Sequence, residues 1–238
     1  MCANIVIPLV RSSYGDCEEL RYALCSIEQN LLDDFSITII GYKPSWIKGV
    51  THIPFCDCSC FVARNQINKL ILASSMYDSF IEWHDDVFLI RPVSYMDVVK
   101  PYYLEVFDDD EWGKKYYQKQ LRKGYRKIKR RLKRKTIYNF ATHTPKMYEN
   151  DKVMKTVEMY GLMEEPIMFF ENFYLNTFLA GDLESVHKHK IGVYDENAQI
   201  NESALDGRTF VNFDESGAKS GIFDVVMEKF KTKSSFEL

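Results

Sequence analysis

An α/β fold, with a largely parallel central sheet covered by helices on both faces, is what this 238-residue chain predicts. Three observations lead there. Short β-branched apolar runs alternate with segments of helical period, and the first such run stands at residues 4–10. Two adjacent acidic residues follow the third run, where a strand would end.

Taken in order, Asn4-Ile5-Val6-Ile7-Pro8-Leu9-Val10 reads as a buried strand and Arg11 to Asp16 as a polar loop. From about Glu18 to Leu32, apolar Leu20, Leu24, Ile27 and Leu31 fall on one helical face. Ser36 to Gly41 is a second strand. Residues 62–76 form a second helix, with Val62, Ile67, Leu70 and Ile71 toward the core. Phe80-Ile81-Glu82-Trp83 is the third strand, and Val87-Phe88-Leu89-Ile90 carries the chain away from the acidic pair. In sheets of this kind ligands sit outside the carboxyl ends of the strands. Asp85 and Asp86 mark one such end and the Pro8 to Ser13 loop another, so this edge is where a nucleotide is expected.

Two carboxylates between apolar runs are costly to bury without compensation. A divalent cation with oxygen ligands supplies it where phosphates are also held. The alternative is a solvated surface turn, in which acidic pairs are common.

Several short motifs then resemble one family when taken in order. They are Asn4 to Leu9, Glu19-Leu20-Arg21-Tyr22-Ala23-Leu24, Ile27 to Leu31, Ile39-Ile40-Gly41, Pro44-Ser45-Trp46 and Asp85-Asp86-Val87-Phe88. Farther on stand Thr142-His143-Thr144-Pro145, Glu171-Asn172-Phe173-Tyr174 and a tail of Lys233 to Glu237. Together they look like a GT-A-type nucleotide-sugar glycosyltransferase, and more narrowly like bacterial capsule and surface-polysaccharide transferases, including the Stealth sugar-phosphate transferases. The resemblance implies a GT-A-like, Rossmann-type sheet, a nucleotide-diphosphate sugar donor, a saccharide acceptor and a Mn²⁺ or Mg²⁺ ion. Asp85 and Asp86 would hold the ion, with His189 completing the shell as a late histidine does in many such enzymes. The chain has Asp-Asp where the family commonly has Asp-any-Asp, which leaves open which carboxylate touches the metal directly.

The donor would meet Pro8, Leu9 and Arg11 through the first loop. Arg11, Arg64 and Lys69 are candidate phosphate partners by charge, and Asn65 and Asn68 candidate partners for sugar or ribose hydroxyls. Lys233 matches the family's tail. For each of these the competing role is a surface or capping one. Glu171 follows the apolar stretch Ile167 to Phe170 and is the first candidate for the base that deprotonates an acceptor hydroxyl; capping a helix through Phe178 is its other role. His143, after the strand-like Ile137 to Phe140, competes for the same chemistry. His187 and His189 are spaced as on one face of a strand, solvated or ligating.

Composition is compatible with a single domain over 1–238, the apolar share being 46 per cent. No apolar run approaches the length of a membrane span, and the N-terminus lacks a signal-like pattern. A cytoplasmic protein, able to touch a membrane peripherally, is expected. The six cysteines include alternating Cys56, Cys58 and Cys60, whereas structural zinc sites space paired ligands by two to four residues. Free thiols in a reducing compartment are expected.

Charge is strongly segregated. Between Trp112 and Lys135 stand thirteen Lys or Arg and no acid, which leaves 18 basic against 34 acidic residues elsewhere. Tyr117, Leu121, Tyr125, Ile128 and Leu132 recur every three or four residues, so 112–135 reads as an amphipathic helical insertion with a cationic face. That face either meets water, an anionic membrane surface, or a phosphorylated or polyanionic substrate. No nucleic-acid motif accompanies it, and nucleic acid is not expected. Residues 192–207 read as a polar lid loop, Phe210 to Phe213 as a strand, and Gly221 to Lys231 as a helix. Sugar-phosphate transfer, and a non-catalytic docking protein on the same scaffold, stand as alternatives to sugar transfer.

Overall fold

The computed structural model describes residues 2–11, 16–58, 62–107, 115–179 and 181–238. In chain order the strands are β1 (Ala3–Leu9), β2 (Phe35–Gly41), β3 (Thr51–Ile53), β4 (Ser79–Glu82), β5 (Val87–Leu89), β6 (Tyr102–Tyr103), β7 (Lys146–Glu149), β8 (Glu184–Ser185), β9 (Lys190–Val193) and β10 (Phe210–Phe213). The helices are α1 (Glu18–Asn30), α2 (Val62–Met76), α3 (Tyr95–Val98), α4 (Tyr116–Leu132), α5 (Asn150–Tyr160), α6 (Phe170–Phe178), α7 (Glu215–Gly217) and α8 (Phe223–Lys229).

The central sheet runs β3-β2-β1-β4-β7. Its first four strands are parallel, with Ile5 opposite both Ile37 and Ile81, and β7 closes the edge antiparallel to β4. Alternation along β1 sorts side chains to two cores. Ile5, Ile7 and Leu9 face α1, packing with Leu20, Leu24 and Ile27. Val6 faces the other side, with Ile67, Leu70 and Ala73 of α2. All but Ile67, at 1 %, are fully excluded from water, and each such burial contributes about 1.5–3 kcal/mol. The predicted mostly parallel α/β sheet is therefore present, with helices on both faces.

A smaller sheet, β5-β10-β9, pairs β10 antiparallel to β5 and parallel to β9. Helix α1 hooks β5 in place: Ser26 Oγ accepts from the Leu89 amide at 3.0 Å, and Asn30 Nδ2 donates to the Leu89 carbonyl at 2.9 Å. The turn between β4 and β5 thus hangs between two anchored strands.

Some local expectations give way to tertiary context. Val62 begins α2 but is 62 % exposed rather than facing the core. Ile137 to Phe140 is extended without becoming a ladder strand. Its backbone is satisfied instead by residues 104–107 and by the side chains of Asn172 and Asn176. Residues 192–207 are no continuous loop: Gly192 and Val193 complete β9, and a 3₁₀ turn at Glu202–Leu205 buries Leu205. The basic segment does form a helix, α4, whose Leu121, Tyr125 and Ile128 enter the core. Among the described residues no helix is long and apolar enough to cross a membrane.

Candidate functional site

The acidic pair sits at the carboxyl end of β4 because apolar residues pin the chain on both sides. Trp83 is fully buried, continues the ladder through its amide to the Val6 carbonyl at 2.9 Å, and donates its indole N–H to the Val87 carbonyl at 2.9 Å. Val87, Phe88 and Leu89 are equally buried. Between these anchors His84, Asp85 and Asp86 form a tight, half-buried turn.

The two carboxylates are held differently. Asp86 Oδ1 is 2.7 Å from His143 Nε2. Burial pushes its pKa up, but the charge and hydrogen bond of His143 outweigh that and leave it below the ordinary value. Asp85 is pushed up to about 6, by burial and then by the neighbouring charge of Asp86. Glu19, in the first turn of α1, is raised to about 7 by burial and by repulsion from Asp85, Asp86 and Glu215. Burial, reinforced by like charge, therefore disfavours further carboxylate charge at this corner beyond that of Asp86.

His143 reaches Asp86 from the loop before β7, with a positive φ of 51°. Its ring stacks on His84 with centroids 4.4 Å apart. His84 is pushed down to about 3 by burial and the nearby His143, so it stays neutral at ordinary pH. The loop is fastened from below. Lys146 Nζ donates to Thr142 Oγ1 and Thr144 Oγ1, each at 2.6 Å, and to the Thr144 carbonyl at 3.0 Å.

Lys146 belongs to a buried charge cluster. It stands opposite Glu82 in the β4–β7 register, and Glu82 is 2 % exposed and accepts from Gln66 at 3.3 Å. Glu171, in the first turn of α6, is raised to about 7 by burial and then by the Glu82 charge. Burial lowers Lys146 to about 8. On the far side of the loop, Lys190 of β9 donates to the Thr142 carbonyl at 2.5 Å and is pushed down to about 7 by burial and by Lys146. Tyr194 adds a hydroxyl bonded to Asn212 at 3.1 Å.

The other predicted residues divide. Leu9 is buried at the end of β1 and its carbonyl accepts from Lys69 at 3.1 Å; Pro8 is half-buried beside it. Arg11 is exposed over the Tyr42 ring, while Ser12 to Gly15 lie outside the described residues. Lys69, read as a phosphate partner, is 2 % exposed and bound to Asp57 at 2.8 Å. It is a structural cation: Gly41, at φ +126°, approaches it so closely that a Cβ would overlap the Leu9 carbonyl oxygen. Arg64 donates to the Met163 carbonyl at 2.9 Å, and Asn65 brackets the backbone of Cys58. Lys233 donates to the Leu238 carbonyl at 3.3 Å, in a tail that packs on the Trp46 side. His189 is not on a strand face; a 3₁₀ turn at Val186–Lys188 delivers it to Glu184 at 2.7 Å and to the Tyr102 ring. It does not join Asp85 and Asp86, and among the described residues no three His, Cys, Asp or Glu side chains converge as a cation site.

Of the predicted residues the structure brings together Asp85, Asp86 and His143, with Glu171 linked through Lys146 and Glu82. Sequence reading passed over His84, Glu19, Glu82, Lys146 and Lys190. Two of these had a usable signal: His84 adjoins the acidic pair, and Lys146 closes the Thr142 to Pro145 motif. Neither a protein-family description nor a curated protein sequence matches this chain.

Proposed function

We propose that this chain is a metal-dependent, GT-A-type glycosyltransferase that moves a sugar from a nucleotide-diphosphate donor to a saccharide or lipid-linked saccharide acceptor. The observation that carries the reading is the Asp85–Asp86 pair in the tight turn at the carboxyl end of β4, where burial first and like charge second drive Asp85 and nearby Glu19 toward protonation. A divalent cation held by the Asp85–Asp86 pair would offset both the burial and the repulsion that raise those groups.

Asp85 and Asp86 would hold a Mn²⁺ or Mg²⁺ ion. Bound there, the ion would supply charge stabilisation for a departing diphosphate. The chain's own residues do the rest. His143 fixes the orientation of Asp86 through their 2.7 Å contact. Glu171, raised to about 7, is matched to taking a proton from an acceptor hydroxyl near neutral pH. Lys190 presents a cation beside the same loop, suited to a phosphate oxygen.

Sugar-phosphate transfer is a second reading, and the gathering of Lys146, Lys190 and His143 around residues 142–144 favours it. Donor hydrolysis products distinguish the two: free sugar with a nucleoside diphosphate supports the first, sugar phosphate with a nucleoside monophosphate the second.

Calorimetric titration with nucleoside diphosphates, with and without Mn²⁺, tests the proposal. Binding should require the metal and weaken about 10–100-fold in Asp86→Ala. Glu171→Gln should bind normally yet lose about 10²–10⁴-fold in turnover. Absence of nucleotide binding in the presence of Mn²⁺ would sink the reading.

A further inference from the structure

Helix α4 has spent its apolar stripe. Leu121, Tyr125 and Ile128 are buried against the core, and Gly124 lies 3.4 Å, from where its Cβ would be, to the Phe173 ring of α6. What remains outside is cationic. Lys119, Lys123, Arg126, Arg130 and Lys133 are all exposed, and their four- and three-residue spacing lines them along one side of the helix. Seventeen residues of helix make this a straight strip about 25 Å long.

Among the described residues neutralisation of the strip is slight. Among the described residues Glu165 is the carboxylate paired with it, bonding Lys123 at 3.0 Å and Lys127 at 2.8 Å from a half-exposed position. At the N-terminal end Tyr116 is 69 % and Tyr117 44 % exposed, so two aromatic rings flank the start of the charged row. The rest of the chain carries 34 acids against 18 bases, which opposes close wrapping by a polyanion and favours one-sided contact with a plane.

We propose that the outer face of α4 is a docking surface for an anionic lipid bilayer. The helix lies flat against the headgroups. Adhesion is electrostatic and reversible, because the apolar face is already committed to the protein and cannot enter the acyl region. Tyr116, on the same side as Lys119 and Lys123, sits at the headgroup level, where amphipathic rings are favoured. The placement has a consequence for the site. Tyr117 packs edge-on against Phe169, with centroids 4.7 Å apart, and Phe169 immediately precedes the helix that carries Glu171. Docking by α4 therefore leaves α6, the helix that carries Glu171, one packing layer behind the docked face. The adhesion itself does not depend on the proposed transfer reaction.

Co-sedimentation of the full chain with phosphatidylcholine vesicles, with and without phosphatidylglycerol, tests this directly. Binding should appear with the anionic lipid alone and fall steeply as salt is raised. The triple variant Lys119→Glu, Arg126→Glu, Arg130→Glu should lose at least about tenfold in vesicle affinity. Its circular dichroism and melting should match the parent, since all three side chains are exposed. Substitution of the same residues by Gln should give an intermediate loss. No binding to anionic vesicles, equal binding by the Glu variant, or tighter binding to duplex or single-stranded DNA than to vesicles would each overturn the proposal.

Discussion

Two corners of the same sheet edge handle charge in opposite ways. Beside β1 and β2, charges are matched: Lys69 is sealed between Asp57 and the Leu9 carbonyl, and Asp16 accepts from Tyr42, Ser45 Oγ and the Ser45 amide. Beside β4 and β5, Asp85 and Glu19 are raised first by burial and then by like charges close by. A protein under selection for stability alone has no reason to keep the second arrangement. A matched corner is explained by folding, whereas the unmatched one is where the proposed cation would sit.

Four substitutions, in three tests, would break or sharpen that contrast. The largest effect belongs to the matched corner. Lys69→Met strands a buried carboxylate and should cost about 3–5 kcal/mol by urea denaturation. Adding Asp57→Leu should recover much of the loss, because the uncompensated charge leaves with its partner. If Lys69→Met is neutral, the pair is not holding this corner together.

The unmatched corner should respond with the opposite sign. Asp85 is raised from an ordinary 3.8 to about 6, a difference on the order of 3 kcal/mol between its two forms. A raised carboxylate contributes stability below its unfolded pKa and loses it as pH climbs through the folded one. The melting temperature should therefore fall from about pH 4 to about pH 7, with Glu19 acting in the same direction. Asp86, whose pKa is lowered, keeps its contribution across that window and loses it only in stronger acid. Asp85→Asn should raise the melting temperature at neutral pH and flatten the profile. Unchanged melting at pH 7 in Asp85→Asn would mean that the corner is not strained.

The smallest effect is expected far from both. Glu165 is 52 % exposed and pairs directly with Lys123 and Lys127 at the surface, so Glu165→Gln should change stability by less than about 1 kcal/mol. A loss of several kcal/mol would show that α4 is held by that bridge rather than by Leu121, Tyr125 and Ile128.

Much of this was legible before any coordinates. The strands around Ile5, Ile39 and Ile81 announce themselves as β-branched runs, and α1 and α2 by apolar residues at helical spacing. The acidic pair stood out because it is adjacent and flanked by apolar runs, and α4 because thirteen cations share one short segment. Lys69, expected to meet a phosphate, lies in the core for a physical reason. A lysine inside a helix normally faces water, and nothing near it in sequence reveals that Asp57 will meet it in the core. His189 failed similarly, since the two-residue spacing from His187 suits a strand but the chain makes a 3₁₀ turn there. Lys146 and Lys190 look like ordinary surface cations until β7 and β9 bring them to the loop that carries His143.

Periodicity and clustering act over a few residues, and from them alone came the sheet, its flanking helices, the acidic turn and the cationic helix. Partnership of charges was decided only by folding, because Glu82 meets Lys146 and Asp86 meets His143 across some sixty positions of chain. Burial then alters what each group is chemically. Glu171 becomes an acid poised near neutrality because the packed chain removes its water and sets Glu82 beside it.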